Sequence, residues 1–317
     1  MRGRGTRNLL AASLLALACS TLDVGALNAQ AERARQGVMS LEDGRIFYEV
    51  MGTGEPILIV HGGPGLDHNY LRPGLDILAT RNTLVYYDQR GTGRSQVPLD
   101  EASVNLDAFV EDIDALRQVL GFEKVTVLGH SFGALFAIEY ARRYPENLRG
   151  IVLMNPTEPG SRFRDQSNAR LAVARTEVDA AELVELTGTE AFEARDAGAL
   201  AAMYRVAFRS TFKDRDRVGE LDLALSEETA KYGQNVAALL GKSLGTVEWW
   251  DRLGEVNVPT LVVHGRYDIP PVLMAQALAD AFPQGRLAVL DSGHFPYIED
   301  PGGLTAAIAG FFVDIRR

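Results

Sequence analysis

Short apolar runs and longer apolar stripes alternate along the chain. Ile57-Leu58-Ile59-Val60, Thr83-Leu84-Val85-Tyr86-Tyr87, Val125-Thr126-Val127-Leu128, Ile151-Val152-Leu153-Met154, Thr260-Leu261-Val262-Val263 and Leu287-Ala288-Val289-Leu290 are compact runs. Runs of that kind, with little polar alternation, suit strands covered on both faces. Upstream, Val38 to Val50 reads as a hairpin turning at Glu42-Asp43-Gly44. Between the runs the period changes. Leu106, Phe109, Ile113, Leu116 and Leu120 recur at helical spacing and form one stripe. Ser131 to Arg143 reads as a second helix, stopped by Pro145, and Pro301 to Ile315 as a closing one. Strands alternating with helices predict an α/β fold around a mainly parallel sheet.

One stretch breaks the alternation. From about Thr157 to Trp250 no strand pattern occurs, and Gln166–Leu186, Thr189–Phe212 and Ser226–Leu240 read as helices. The expected organisation is a core in two parts, residues 32–156 and 251–317, with an all-helical insertion, 157–250, between two core strands. Residues 1–31 form a separate segment. Arg2, Arg4 and Arg7 precede an apolar run, Leu9 to Ala18, that is shorter than the ~20 residues a bilayer span needs. This predicts a secretory signal and an exported, periplasmic or secreted, protein. Ala29-Gln30-Ala31 offers cleavage before Glu32, and Ala16-Leu17-Ala18-Cys19 offers a lipoprotein exit with Cys19 acylated and the chain held at a membrane.

Composition narrows the function. The chain has 317 residues, 46% of them hydrophobic, enough for a large core. Its charge is 32 Lys+Arg against 42 Asp+Glu, net −10, without a basic stripe, which argues against a nucleic-acid partner. A single cysteine excludes a disulfide scaffold.

The chemistry gathers in three places. Gly129-His130-Ser131-Phe132-Gly133 is a G-x-S-x-G run between a strand pattern and a helix, where a sharp turn would lift the Ser131 hydroxyl above the sheet. That hydroxyl needs a base. Of five histidines, His294 follows the last strand and suits the chain order Ser…Asp…His. His130 adjoins Ser131 and should point away from it, and His264 ends a strand as a packed residue. Asp268, after the preceding strand, is the expected acid to orient His294, with Asp291 a competitor too close in sequence to face it. For an oxyanion, the Phe132 amide at a helix start is one expected donor. The loop His61-Gly62-Gly63-Pro64-Gly65 supplies the other, from Gly63, with Gly62 as the alternative. Trp249, Trp250 and Phe212 are candidate substrate-pocket walls.

His61-Gly62-Gly63-Pro64-Gly65, Asp88-Gln89-Arg90-Gly91-Thr92-Gly93-Arg94-Ser95 and the Ser131 turn together resemble the signatures of α/β-hydrolases, and among them the proline iminopeptidase family, over roughly residues 38–315. The resemblance implies an α/β-hydrolase fold with a helical cap and a Ser131–His294–Asp268 serine peptidase. Such an enzyme releases an N-terminal residue, often proline, from short peptides, with no metal and no organic cofactor. The family's amine-holding carboxylates are replaced: Val236 stands in the cap run Gly233-Gln234-Asn235-Val236, and Ile269 follows Asp268. An unpaired ammonium is costly in an apolar site. A second class, a carboxylesterase acting on neutral apolar acyl substrates, therefore stands beside the aminopeptidase. For the aminopeptidase, Glu227, Glu228 or Glu248 would have to hold the amine.

Overall fold

The computed structural model describes residues 34–72 and 74–316, so the expected signal segment and Cys19 lie outside the described residues. Eight strands form one sheet in the order β1-β2-β4-β3-β5-β6-β7-β8. The hairpin is β1 (Arg35–Ser40) and β2 (Arg45–Gly52), antiparallel to each other, and β2 also pairs antiparallel with β4 (Asn82–Tyr87). From there the sheet is parallel through β3 (Glu55–Val60), β5 (Val125–His130), β6 (Leu148–Met154), β7 (Thr260–Gly265) and β8 (Gly285–Leu290). Each of the six compact runs from Ile57 to Leu290 singled out in the sequence is a strand of this sheet.

The strand period of two splits the core into two layers. Leu58 and Val60 of β3 face one layer, where α1 (Leu106–Val119), α2 (Gly133–Arg143) and α8 (Val272–Ala281) pack. Phe109 of α1 stacks on Phe136 of α2 with ring centres 5.1 Å apart. Ile57 and Ile59 face the other layer, closed by Leu304, Ile308, Phe311 and Phe312 of α9 (Pro301–Asp314). Covering both faces is what removes water from the parallel ladder and explains why its strands need no polar side.

Among the described residues only helices and turns lie between β6 and β7. The two long helices expected there are each broken. Thr176 accepts the Asp179 amide and Asp179 accepts the Thr176 amide, a capping box that ends α3 (Arg164–Ala174) and starts α4 (Glu177–Thr187). Asp196 caps α6 (Ala197–Arg209) and separates it from the one-turn α5 (Glu190–Glu193). The hydrophobic spacing runs through both breaks, and short polar side chains taking backbone amides override it. The third expected helix is α7 (Glu227–Leu244).

A buried ionic cluster ties the loop after β4 to the core. His68 donates from Nδ1 to Asp88 at 2.6 Å and lies 3.8 Å from Glu49. Glu49 also receives Arg72 and Arg94. Arg90, from the same loop, grips Asp112 of α1 with two bonds of 2.7 and 3.0 Å. Burial opposes a charge on His68, but the Asp88 and Glu49 carboxylates outweigh it and push its pKa up to about 9 from 6.5. A folded-state pKa above the unfolded value adds stability that is complete below pH 6.5 and lost as pH rises through about 9. The urea midpoint should therefore fall between those values, and His68→Asn should flatten that fall; an unchanged slope in the variant would contradict the coupling.

Candidate active site

The C-terminal ends of the parallel strands carry the loops that matter, the edge where open α/β sheets gather their ligands. β5 ends at His130 and α2 begins at Gly133, leaving Ser131 to turn the chain with φ 53°. A non-glycine residue in the left-handed region is strained and survives only where its surroundings fix it. Here the Ser131 amide donates to Met154 O at 3.0 Å and its carbonyl accepts from Thr157 at 3.0 Å. Close packing requires the glycines. A Cβ on Gly129 would lie 2.6 Å from Gly133 O, and one on Gly62 would lie 2.7 Å from Ser131 Cβ. The loop after β3 thus rests directly on the serine.

Asp268 follows β7 and His294 follows β8. The His294 Nδ1–H donates to Asp268 Oδ2 at 2.9 Å. Asp268 is fully buried. Burial works against its charge, but His294, His264 and the Asn155 amide outweigh that and hold its carboxyl down at about 2. Its other oxygen accepts from the Ile269 amide at 2.7 Å. Asp291, the competing acid, is exposed and pairs with Lys213 at 2.6 Å instead. Among the described residues no hydrogen bond joins the Ser131 hydroxyl to His294, but their neighbourhood is shared: the His130 and His294 rings have centres 4.9 Å apart. In unliganded sites such a bond is often long and tightens when substrate arrives.

The backbone donors divide. Among the described residues neither Phe132 nor Gly63 gives its amide to a protein acceptor. Gly62 gives its amide to the Tyr70 hydroxyl at 2.6 Å, so the alternative oxyanion donor is already engaged. His61 is structural: fully buried, it accepts the Gln89 amide at Nε2, which locks the loop after β3 to the loop after β4. His264 is also buried and donates to Pro270 O at 2.9 Å.

A cavity of about 520 Å³ opens beside Phe132. Its walls include Leu135, Thr157, Glu158, Arg164, Val247 and Pro270. The expected wall residues do not line it. Trp249 and Trp250 are buried in the core layer behind, where Trp249 donates its amide to Pro159 O, and Phe212 stacks on Phe295 with centres 4.9 Å apart. Aromatic side chains at such spacing found core partners first. The expected amine-holding carboxylates lie elsewhere too. Glu248 is bonded to Ser161, Glu228 borders a separate cleft with Tyr232, and Glu227 sits in the first turn of α7.

Four contributors carry no sequence motif. Asn155, with φ 45°, donates to Asp268 Oδ2 at 2.7 Å and to Gly293 O at 3.0 Å, tying the acid to the loop of the histidine. Arg170 of α3 donates to the Asp268 and Ile269 carbonyls at 2.7 and 3.0 Å. Thr211 O accepts the His294 amide at 2.8 Å. Tyr70 receives Gly62. The end-of-strand asparagine was the one detectable signal; the others depend on tertiary approach alone.

This elbow, loop and sheet define a hydrolase class. The family model for the alpha/beta hydrolase fold matches residues 55–301, and the chain belongs to that family. Within it, the chain is 27% identical to the proline iminopeptidase of Heyndrickxia coagulans, covering 88% of this chain and 99% of that one, and 26% identical to that of Clostridioides difficile, covering 84% and 93%. Among solved structures, the proline iminopeptidase of Mycobacterium smegmatis superposes with a TM-score of 0.65 at 25% identity, covering 89% of this chain and 98% of that one. A thermophilic esterase from Thermogutta terrifontis does so with 0.62 at 26%, covering 90% and 100%.

The helical segment packs tightly on the site loops where Gly65, with φ 92°, and Gly233 of α7 approach backbone to backbone. A Cβ at Gly233 would run into the Gly65 carbonyl. Gly233→Ala should therefore destabilise the protein by about 1–3 kcal/mol in urea denaturation, whereas a raised midpoint, as for an ordinary Gly→Ala change inside a helix, would contradict the contact.

Proposed function

We propose that this alpha/beta hydrolase is an exported serine hydrolase in which Ser131, His294 and Asp268 act as nucleophile, base and acid. The Asp268–His294 bond, set beside a strained serine elbow, is the observation that carries the reading. His294 Nε2 accepts the Ser131 proton as Oγ attacks the substrate carbonyl carbon. The Phe132 and Gly63 amides stabilise the resulting oxyanion. The imidazolium then protonates the leaving group, the acyl bond breaks, and water repeats the sequence to free the acid and restore Ser131. Asp268, charged down to about pH 2, holds the imidazole tautomer and balances the transient cation throughout.

The substrate in this reading is a short peptide with a free N-terminal amine. Its support is the similarity to curated proline iminopeptidases across most of the chain and a cavity bordered by both Phe132 and a carboxylate, Glu158, one oxygen of which accepts the Phe163 amide. A second reading, ester hydrolysis, draws on Val236 and Ile269, the first fully buried and the second half-buried, at the two positions where the resembled family carries amine-holding carboxylates. Export rests on the Arg-led apolar segment, with the mature chain starting at Glu32 or at an acylated Cys19.

Proline β-naphthylamide and short-chain p-nitrophenyl esters separate the readings. Ser131→Ala should lower turnover of either by roughly 10⁴-fold or more with the fold intact, and retained activity would refute the nucleophile. Glu158→Gln should raise KM for the free-amine substrate and leave the ester KM unchanged. Ester turnover with no release of naphthylamine would leave only the esterase.

A further inference from the structure

Behind the site runs a buried chain of hydrogen bonds that the reaction itself does not use. The Gly62 amide donates to the Tyr70 hydroxyl at 2.6 Å. Tyr70 Oη lies 2.8 Å from His130 Nδ1, and His130 Nε2 lies 3.1 Å from the His294 carbonyl. Tyr70 and His130 are buried, 5% and 1% exposed, so water cannot take over either bond. The direction of every proton follows from donor and acceptor counting. A carbonyl only accepts, so His130 Nε2 carries the hydrogen. Burial, reinforced by nearby His294, lowers the His130 pKa to about 3, so the ring is neutral near pH 7 and Nδ1 is an acceptor. Tyr70 therefore donates to Nδ1, and its oxygen is left to accept Gly62.

The two ends of this chain are loops with separate tasks. Gly62 precedes Gly63, whose amide is the oxyanion donor in the reading above, and the His294 carbonyl belongs to the residue that bears the base. The chain also has flanking supports. Tyr297 donates to Tyr70 O at 2.9 Å, and Phe295 packs edge-on against Tyr70 with centres 6.5 Å apart. We propose that Tyr70 and His130 are positioning residues that fix the distance between the oxyanion loop and the His294 loop, so that donor and base meet one tetrahedral carbon together. This inference rests on the Ser131 mechanism and adds two residues to it, neither of which touches substrate. Misplacing a donor or base by a fraction of an ångström costs rate while leaving ground-state binding intact.

The test is a double-mutant cycle of Tyr70→Phe and His130→Phe on the full chain, assayed with whichever substrate the wild type turns over best. Each single change should lower kcat about tenfold or more at unchanged KM, with Ser131 still labelled to completion, though more slowly, by a fluorophosphonate. Because both belong to one series of bonds, the double variant should lose little more than either single. Tyr70→Phe removes one oxygen and retains the ring packing; should His130→Phe fail to fold, His130→Asn replaces it in the cycle. Wild-type kcat in Tyr70→Phe, or losses that multiply in the double variant and follow the melting temperature, would overturn the positioning role. Turnover that survives Ser131→Ala would instead overturn the mechanism, and this inference with it.

Discussion

The bond between the Asp268 carboxylate and the His294 imidazole spans two loops that the chain itself never brings near one another, since they leave different strands of the sheet. Everything about the site depends on those loops being held. A buried carboxylate is tolerable only when its charge is met by donors. Asp268 meets that condition with His294, Asn155 and the Ile269 amide, all at 2.9 Å or less. The same donors fix where its charge points. The imidazole is thereby oriented before any substrate arrives, which is the condition for electrostatic help without reorganisation at the moment of reaction.

The sheet supplies the rigid frame for that arrangement. Parallel strands place successive loops along one edge, so Ser131, Asp268, His294 and the glycine loop after β3 share a rim without sharing sequence. The helical segment then closes over it with three backbone-directed contacts: Arg170 to the Asp268 loop, Thr211 to His294, and Gly233 against Gly65. All three use main-chain atoms on the core side, so side chains of the cavity wall can vary while the frame stays.

Much of this was legible in the residues. Undiluted apolar runs gave six of the eight strands, β3 to β8, because burial leaves a compositional trace, while β1 and β2 were read as a hairpin from their turn residues. Ser131 stood out through its G-x-S-x-G turn between strand and helix, and His294 through its place after the last strand in the chain order Ser…Asp…His. The helical segment was readable in type but not in its breaks, since Thr176 and Asp196 interrupt helices through local hydrogen bonds that hydrophobic spacing does not register. Trp249, Trp250 and Phe212 belong to the core layers for a related reason: helical spacing reports which side chains leave water, not whether a core or a ligand receives them. The Gly62 amide, the alternative donor to Gly63, is engaged by Tyr70, whose tertiary approach has no local signature. The second glycine-rich signature, Asp88 to Ser95, proves to be an anchor, with Asp88 paired to His68, Arg94 to Glu49 and Arg90 to Asp112.

The central claim is that Ser131, His294 and two backbone amides surround one reacting carbon. A crystal structure of the protein inactivated with a fluorophosphonate tests it most directly. The account predicts phosphorus bonded to Ser131 Oγ, His294 Nε2 within about 3.2 Å of that oxygen, and the phosphoryl oxygen about 2.7–3.1 Å from the Phe132 and Gly63 nitrogens. Phosphorus on another residue, or an imidazole still remote from Oγ in the adduct, would contradict it.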